Sequence, residues 1–325
     1  MTPPASRSGQ PAAHPLAVVN PLADTHATLD EDLELCDELG GAKYGLTLGK
    51  YRAWTGRAAR LAGRVAYVHH GRLFTLDDES AWPGERAALA RTLELAHETG
   101  ASAVLATTGP AGALTTWEQA LSAFAAAYEP LAARVGTLGV RVCVEQTNVL
   151  RHDIGFVTTL GDLARLAAES GAWICADMFW SWRERDLAGS LRACGPRLGL
   201  VQLADAVPTS VSMPDRVVPG DGIVPLGWVI GQFAAAGYRG FFDVELLGPR
   251  IAAEGARRAM TRGACATLAP CSRRRTRSRQ TAERTAEGNR DEPGDHRRRG
   301  RGPGQPCRYR SRAGAQSPGG GPAGA

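Results

Sequence analysis

Four polar side chains close or interrupt four successive apolar runs. VRVCVEQ (140–146) carries Glu145, AWICADM (172–178) carries Asp177, GLVQLAD (199–205) carries Gln202 with Asp205 close behind, and GFFDVEL (240–246) carries Glu245. A lone acid at a strand end is commonly a helix cap or an ion-pair partner, but four on consecutive runs point to one shared task. Brought together, the carboxylates would repel: a like-charged pair at about 4 Å costs about 1 kcal/mol in water and about 4 at an effective dielectric near 20. A divalent cation removes that penalty, and oxygen donors of this kind suit Mn²⁺ or Mg²⁺, with Co²⁺ or Zn²⁺ also open. The chemistry such a site offers is proton transfer. A cation acidifies the C–H of an α-hydroxycarbonyl by stabilising the enediolate that forms. Return of the proton to the same carbon gives epimerisation, and return to its neighbour gives aldose–ketose isomerisation.

The elements that must position these residues repeat one pattern. Four further apolar runs precede them, LAVVN (16–20), KYGLTL (43–48), RVAYVHH (64–70) and SAVLATT (102–108). Segments with helical spacing lie between, at 30–40, 84–100, 115–139, 160–171 and 225–238. In GERAALARTLELAHETG, Ala88, Leu89, Leu93, Leu95 and Ala96 form one apolar face and Gly100 supplies a stop. Runs apolar on both faces suit parallel strands covered by helices. Eight such units in about 250 residues predict the α/β class and a (β/α)8 TIM barrel, whose functional residues gather at the C-terminal ends of the strands. An open doubly wound sheet would carry a Gly-rich phosphate loop after its first strand. LAVVNPLADTHAT has none, and no G-x-x-x-x-G-K-[ST] occurs.

Composition divides the chain. From Cys271 to Ala325 there are 14 Arg, 5 acidic residues and no Leu, Ile, Val, Met, Phe or Trp, a charge of +9 that leaves −4 for residues 1–270. Without aliphatic side chains this stretch cannot offset its ordering entropy, about 1–2 kcal/mol per residue. The expected boundaries are a disordered N-terminus over 1–14, a barrel over 15–265 and a basic low-complexity tail over 266–325. The Arg/Gly/Pro-rich tail is read either as a disordered extension or as out-of-frame translation of GC-rich sequence. No run approaches the roughly 20 apolar residues of a membrane helix, and the N-terminus lacks the apolar centre of a signal peptide. Seven scattered cysteines without a C-x-x-C pair fit reduced thiols and a cytoplasmic setting.

VCVEQTN, ICADMFW, LVQLADA, MPDRVVPGDGIVPL and GYRGFFDVELLGPRI resemble the xylose-isomerase-like TIM-barrel superfamily, which includes the sugar phosphate isomerase/epimerase family, over about residues 15–260. The P-G-D-G-x-x-P-L loop followed by A-G-Y-x-G and a Glu-ended strand carries it most strongly. The resemblance implies Glu145, Asp177, Gln202 and Glu245 as metal ligands. It further implies Glu145 and Glu245 as the groups that move protons, and Arg216 as a contact to substrate oxygen. Two departures stand out. The superfamily usually has His where this chain has Gln202, and often has His where it has Trp180. A Gln ligates through its carbonyl oxygen, which makes the site harder and less suited to zinc.

Further substrate-binding candidates are His70, beside His69 at the end of the third run, His152 after the fifth, and Trp180, which with Trp182 could form an apolar wall against a sugar ring. The expected activity is that of a metal-dependent sugar, sugar-phosphate or hydroxycarbonyl isomerase or epimerase acting in carbohydrate metabolism on a small molecule. A dehydratase-type barrel, or one that binds a sugar-like ligand without turnover, is the alternative. The apurinic-endonuclease branch is set aside. Its multi-zinc site needs many histidines, and of seven here His14, His26, His97 and His296 lie away from strand ends. The tail lacks interleaved aromatic residues apart from Tyr309, so base stacking has no support. Homo-oligomerisation is left open.

Overall fold

The computed structural model describes residues 17–210 and 214–266. Its strands are β1 (Ala17–Val19), β2 (Lys43–Thr47), β3 (Val65–Arg72), β4 (Ala103–Thr107), β5 (Arg141–Glu145), β6 (Trp173–Asp177), β7 (Leu198–Leu203) and β8 (Phe242–Val244). They close in chain order, all neighbours parallel, with β8 pairing back to β1. This is the expected eight-stranded barrel. Around it lie α1 (Leu29–Glu38), α2 (Leu48–Ala53), α3 (Trp82–Thr99), α4 (Trp117–Tyr128), α5 (Ala132–Leu138) and α6 (Leu160–Ser170). They are followed by α7 (Met178–Ser181), α8 (Leu187–Cys194), α9 (Leu226–Ala235), α10 (Pro249–Glu254) and α11 (Ala256–Ala266).

Local chemistry accounts for the element ends. Thr28 and Thr116 open α1 and α4 with reciprocal capping boxes, and Gly100, Gly139 and Gly171 end α3, α5 and α6 in the left-handed conformation. The stretch 115–139, read as one helix, is two. Pro130 falls in a short 3₁₀ turn, Glu129–Leu131, between α4 and α5. A proline lacks the N–H that an unbroken helix would need there.

Strand alternation sorts the side chains. Val18, Tyr67, Ala103, Leu105, Cys143, Cys175 and Leu200 pack together in a cluster inside the barrel, while a larger apolar layer lies between the sheet and the helices. Two residues on from Cys143, Cys175 and Leu200 come Glu145, Asp177 and Gln202. The period of two therefore puts them on the same inner face, one step nearer the mouth. No helix among the described residues is long and apolar enough to cross a membrane. The expectations for 1–14 and for the tail beyond Ala266 fall outside the described residues.

Candidate active site

The mouth is built from strand ends. Glu145, Asp177 and Glu245 each present a carboxylate oxygen, all within 4.8 Å of one another. Asp177 is wholly buried and caps α7 through Phe179 N–H, 2.9 Å from Oδ1. Its backbone is clamped by Gln146, whose Nε2 donates to the Asp177 carbonyl at 2.7 Å and to Ser181 Oγ at 2.8 Å. Burial and then the charges of Glu245 and Asp177 push Glu145 well above the usual carboxylate range. Glu245 is also raised, since burial outweighs the pull of Arg216 beside it. Two carboxyls so displaced call for a proton or a cation between them.

Arg216 supplies the one positive charge placed among them. The segment that carries it is stitched in from both sides: Asp205 and Val217 exchange backbone hydrogen bonds, and Arg216 N–H donates to Leu247 O at 3.0 Å. The guanidinium, 2% exposed, sets Nη2 at 2.8 Å from Asp177 Oδ2 and Nη1 at 3.0 Å from Glu245 Oε2. The Phe179 and Trp180 rings lie over it, with centroids 4.6 and 5.5 Å from Cζ. Burial works against its charge, but Asp177 and Glu245 more than compensate, so Arg216 is held cationic. Implied by the resemblance as a contact to substrate oxygen, Arg216 is paired here with two carboxylates.

Gln202, implied as a fourth ligand, makes contacts of its own. In register with both Asp177 and Asp243, it donates from Nε2 to Asp243 Oδ2 at 3.1 Å, and its Oε1 accepts from Cys175 Sγ at 3.4 Å. The amide thus bonds within its own row. Asp243 Oδ2 also accepts from Asn20 Nδ2 at 2.7 Å and from the Tyr67 hydroxyl at 2.8 Å. Burial still raises Asp243 to about 7 against these donors. Room for the Tyr67 ring comes from Gly45 on β2, where a Cβ would lie 2.4 Å from the ring. Asp243 and Thr107 were not anticipated. Asp243 stands two residues before Glu245, and Thr107 is paired with Glu145 across β4 and β5. Their buried Oδ1 and Oγ1 make no hydrogen bond. The apolar runs GFFDVEL and SAVLATT contained both.

Asp205, close behind Gln202 in sequence, turns to the loop. Its Oδ2 accepts N–H groups of Gly220 and Gly222 at 3.0 and 2.9 Å, and its Oδ1 accepts those of Ala206 and Val224 at 2.9 Å each. The P-G-D-G turn is folded around this one carboxylate. Gly222 is required by close approach, because a Cβ would lie 2.3 Å from both Ala206 O and Asp205 Oδ1.

The two histidine candidates lie elsewhere. A register shift between His69 and Gly71 makes His70 a bulged residue, and its Nδ1 lies 2.8 Å from Thr92 Oγ1 on α3, outside the barrel. Burial lowers both His69 and His70 to about 4, leaving them neutral. His152 is exposed on the loop after β5. Trp180 is brought to the mouth, through its contact with Arg216.

The donor set fits a divalent cation. Three carboxylate oxygens converge at one buried point, and Glu245 Oε2 is buried with no hydrogen bond, its nearest cationic partner being Arg216. Hard, anionic oxygens of this kind suit Mn²⁺ or Mg²⁺. Glu145, Asp177 and Glu245 are the groups able to hold it.

Comparison with known proteins bears on the fold. A family model described as xylose isomerase-like TIM barrel matches residues 62–264. The IOLI protein with a bound zinc atom superposes with a TM-score of 0.67 at 17% identity, over 78% of this chain and 96% of its own. A xylose isomerase domain protein from Alicyclobacillus acidocaldarius subsp. acidocaldarius gives 0.61 at 24% identity, over 76% and 94%. The D-psicose 3-epimerase of Clostridium cellulolyticum H10, solved with D-tagatose, gives 0.62 at 16%, over 78% and 96%. No curated protein matches the chain in sequence. At these identities the likenesses establish the shared barrel architecture.

Proposed function

Because the chain belongs to the xylose isomerase-like TIM-barrel family, we propose that it is a metal-dependent isomerase or epimerase of a sugar, sugar phosphate or related α-hydroxycarbonyl. The observation that carries this reading is the convergence of Glu145, Asp177 and Glu245 within 4.8 Å at the barrel mouth. Glu145, Asp177 and Glu245 would hold the cation, which when bound polarises the substrate's oxygens and acidifies the C–H between them.

The remaining work falls to the chain's own groups. Glu145 and Glu245 come from β5 and from the end of β8, so they approach the mouth from different sides. One removes the proton beside the carbonyl and the other returns one, each contributing about 10²–10⁴-fold. Asp177, anchored by Gln146 and Phe179 N–H, is a fixed ligand rather than a proton carrier. Trp180 offers a flat apolar wall to a sugar ring. The epimerase neighbour solved with D-tagatose supports a small hydroxylated substrate.

The experiment is a Mn²⁺ titration of the metal-stripped full chain beside Glu145→Gln. This reading expects about one tightly held ion per chain, weakened in the variant because one of three anionic donors is lost. Absence of binding in well-folded protein would overturn it. In that case the commitment of Gln202 to Asp243 would favour the second reading, a barrel that binds a sugar-like ligand without turnover.

A further inference from the structure

Arg216 sits on two of the three carboxylates that would hold an ion. Its Nη1 lies 3.3 Å from Asp177 Oδ1 and 3.0 Å from Glu245 Oε2, and its Nη2 lies 2.8 Å from Asp177 Oδ2. Asp177 Oδ1 is further occupied by Phe179 N–H at 2.9 Å. Asp177 Oδ2 and Glu245 Oε2 are the oxygens that the guanidinium holds. A divalent ion would sit about 2.0–2.5 Å from such oxygens, which sets two positive centres on the same pair of carboxylates, where they repel.

The guanidinium is also incompletely satisfied. Buried Nε makes no hydrogen bond, whereas a buried arginine serving only the fold would be expected to fill its donors. Aromatic faces rather than acceptors cover it, Phe179 and Trp180.

We propose that Arg216 is a built-in counter-ion of the carboxylate cluster, and that a divalent cation binds by displacing its guanidinium from Asp177 and Glu245. The proposal rests on the metal-dependent reading above and deepens it by naming the group the ion must displace. Apo protein is then kept together by an internal cation. Metal loading and release of Arg216 toward the mouth are one event, and the released guanidinium becomes available to substrate oxygen only in the loaded protein.

The test is Mn²⁺ affinity, read by loss of the free-ion paramagnetic resonance signal, for the stripped full chain and for Arg216→Met and Arg216→Lys. Arg216→Met is expected to bind at least about tenfold more tightly than wild type, equivalent to about 1.4 kcal/mol. Arg216→Lys, which keeps a charge but loses the fork, should fall between. Equal or weaker binding by Arg216→Met would overturn the competition while leaving the metal site standing. No binding by any of the three proteins would overturn both. A second measurement covers an Arg216→Met protein that fails to fold. Mg²⁺ added to wild type should change tryptophan emission as the cation over Trp180 leaves, and Trp180→Phe should abolish the change. Saturable Mg²⁺ binding with no Trp180-dependent change would contradict displacement.

Discussion

Arg216 Nη2 lies 2.8 Å from Asp177 Oδ2 in a pair that is 2% and 0% exposed. That contact joins the loop after β7 to the end of β6, and the same guanidinium reaches Glu245 beyond β8. Breaking a buried pair by removing one partner typically costs about 3–5 kcal/mol, because a charge is left uncompensated. Under the proposed reading the mouth would have two ways to neutralise its carboxylates, the Arg216 guanidinium and a bound cation.

Asp205 predicts a large effect without touching the carboxylate cluster. Asp205→Ala strands four backbone N–H groups of the 206–224 loop, for which we expect a loss of about 3–5 kcal/mol. Thermal unfolding should fall by roughly 6–20 °C. Asp205→Asn, which keeps one acceptor oxygen, should lose about half as much. A fall of under about 2 °C in Asp205→Ala would show that the loop does not depend on this carboxylate.

Gln202 and Asp243 predict a change of metal preference. Gln202→His would offer an imidazole nitrogen whose other ring N–H can donate to Asp243, the arrangement that orients metal-ligating histidines elsewhere. The variant should gain about tenfold or more in Zn²⁺ affinity with little change for Mn²⁺, since nitrogen donors favour the softer ion. Competition dialysis of the two metals measures this directly. Unchanged Zn²⁺-to-Mn²⁺ selectivity would mean that Gln202 does not border the ion.

His70 predicts an acid-sensitive contribution to stability. Its ordinary value near 6.5 is lowered to about 4 by burial. Between those values the unfolded chain binds more protons than the folded one, so stability falls as pH drops through that window and is unaffected above it. The full contribution is about 3 kcal/mol at most. His70→Gln should flatten the loss of thermal stability between about pH 6.5 and 4.5. It should not remove it, since His69 behaves in the same sense. An identical slope in the variant would place the acid sensitivity elsewhere.

The barrel was legible because its strands are buried on both faces. VRVCVEQ, read as a strand over 140–146, forms β5 over Arg141–Glu145, and the other seven runs fall as closely. Glu145, Asp177 and Glu245 could be picked out because each polar residue closes or interrupts an apolar run. What was not legible depends on the direction of a side chain. Arg216 and Gln202 were found, but that one would turn to Asp177 and the other to Asp243 follows from contacts across the barrel that no local pattern encodes. Asp205 was noted only as close behind Gln202, and the return of the chain at Gly220–Val224 is what makes it a loop organiser. His70, two residues on from the outward-packed Val68, falls on the outer face by the same alternation, against Thr92 of α3.

The most direct measurement is solvent deuterium exchange. The Mn²⁺-loaded full chain would be incubated in D₂O with ketohexoses, aldoses and simpler α-hydroxycarbonyls, and deuterium read by NMR at the carbon beside the carbonyl. The account predicts incorporation into at least one of them, falling by about 10²–10⁴-fold in Glu145→Gln and in Glu245→Gln. Metal-loaded protein that exchanges no substrate proton, or full exchange in either variant, would contradict it.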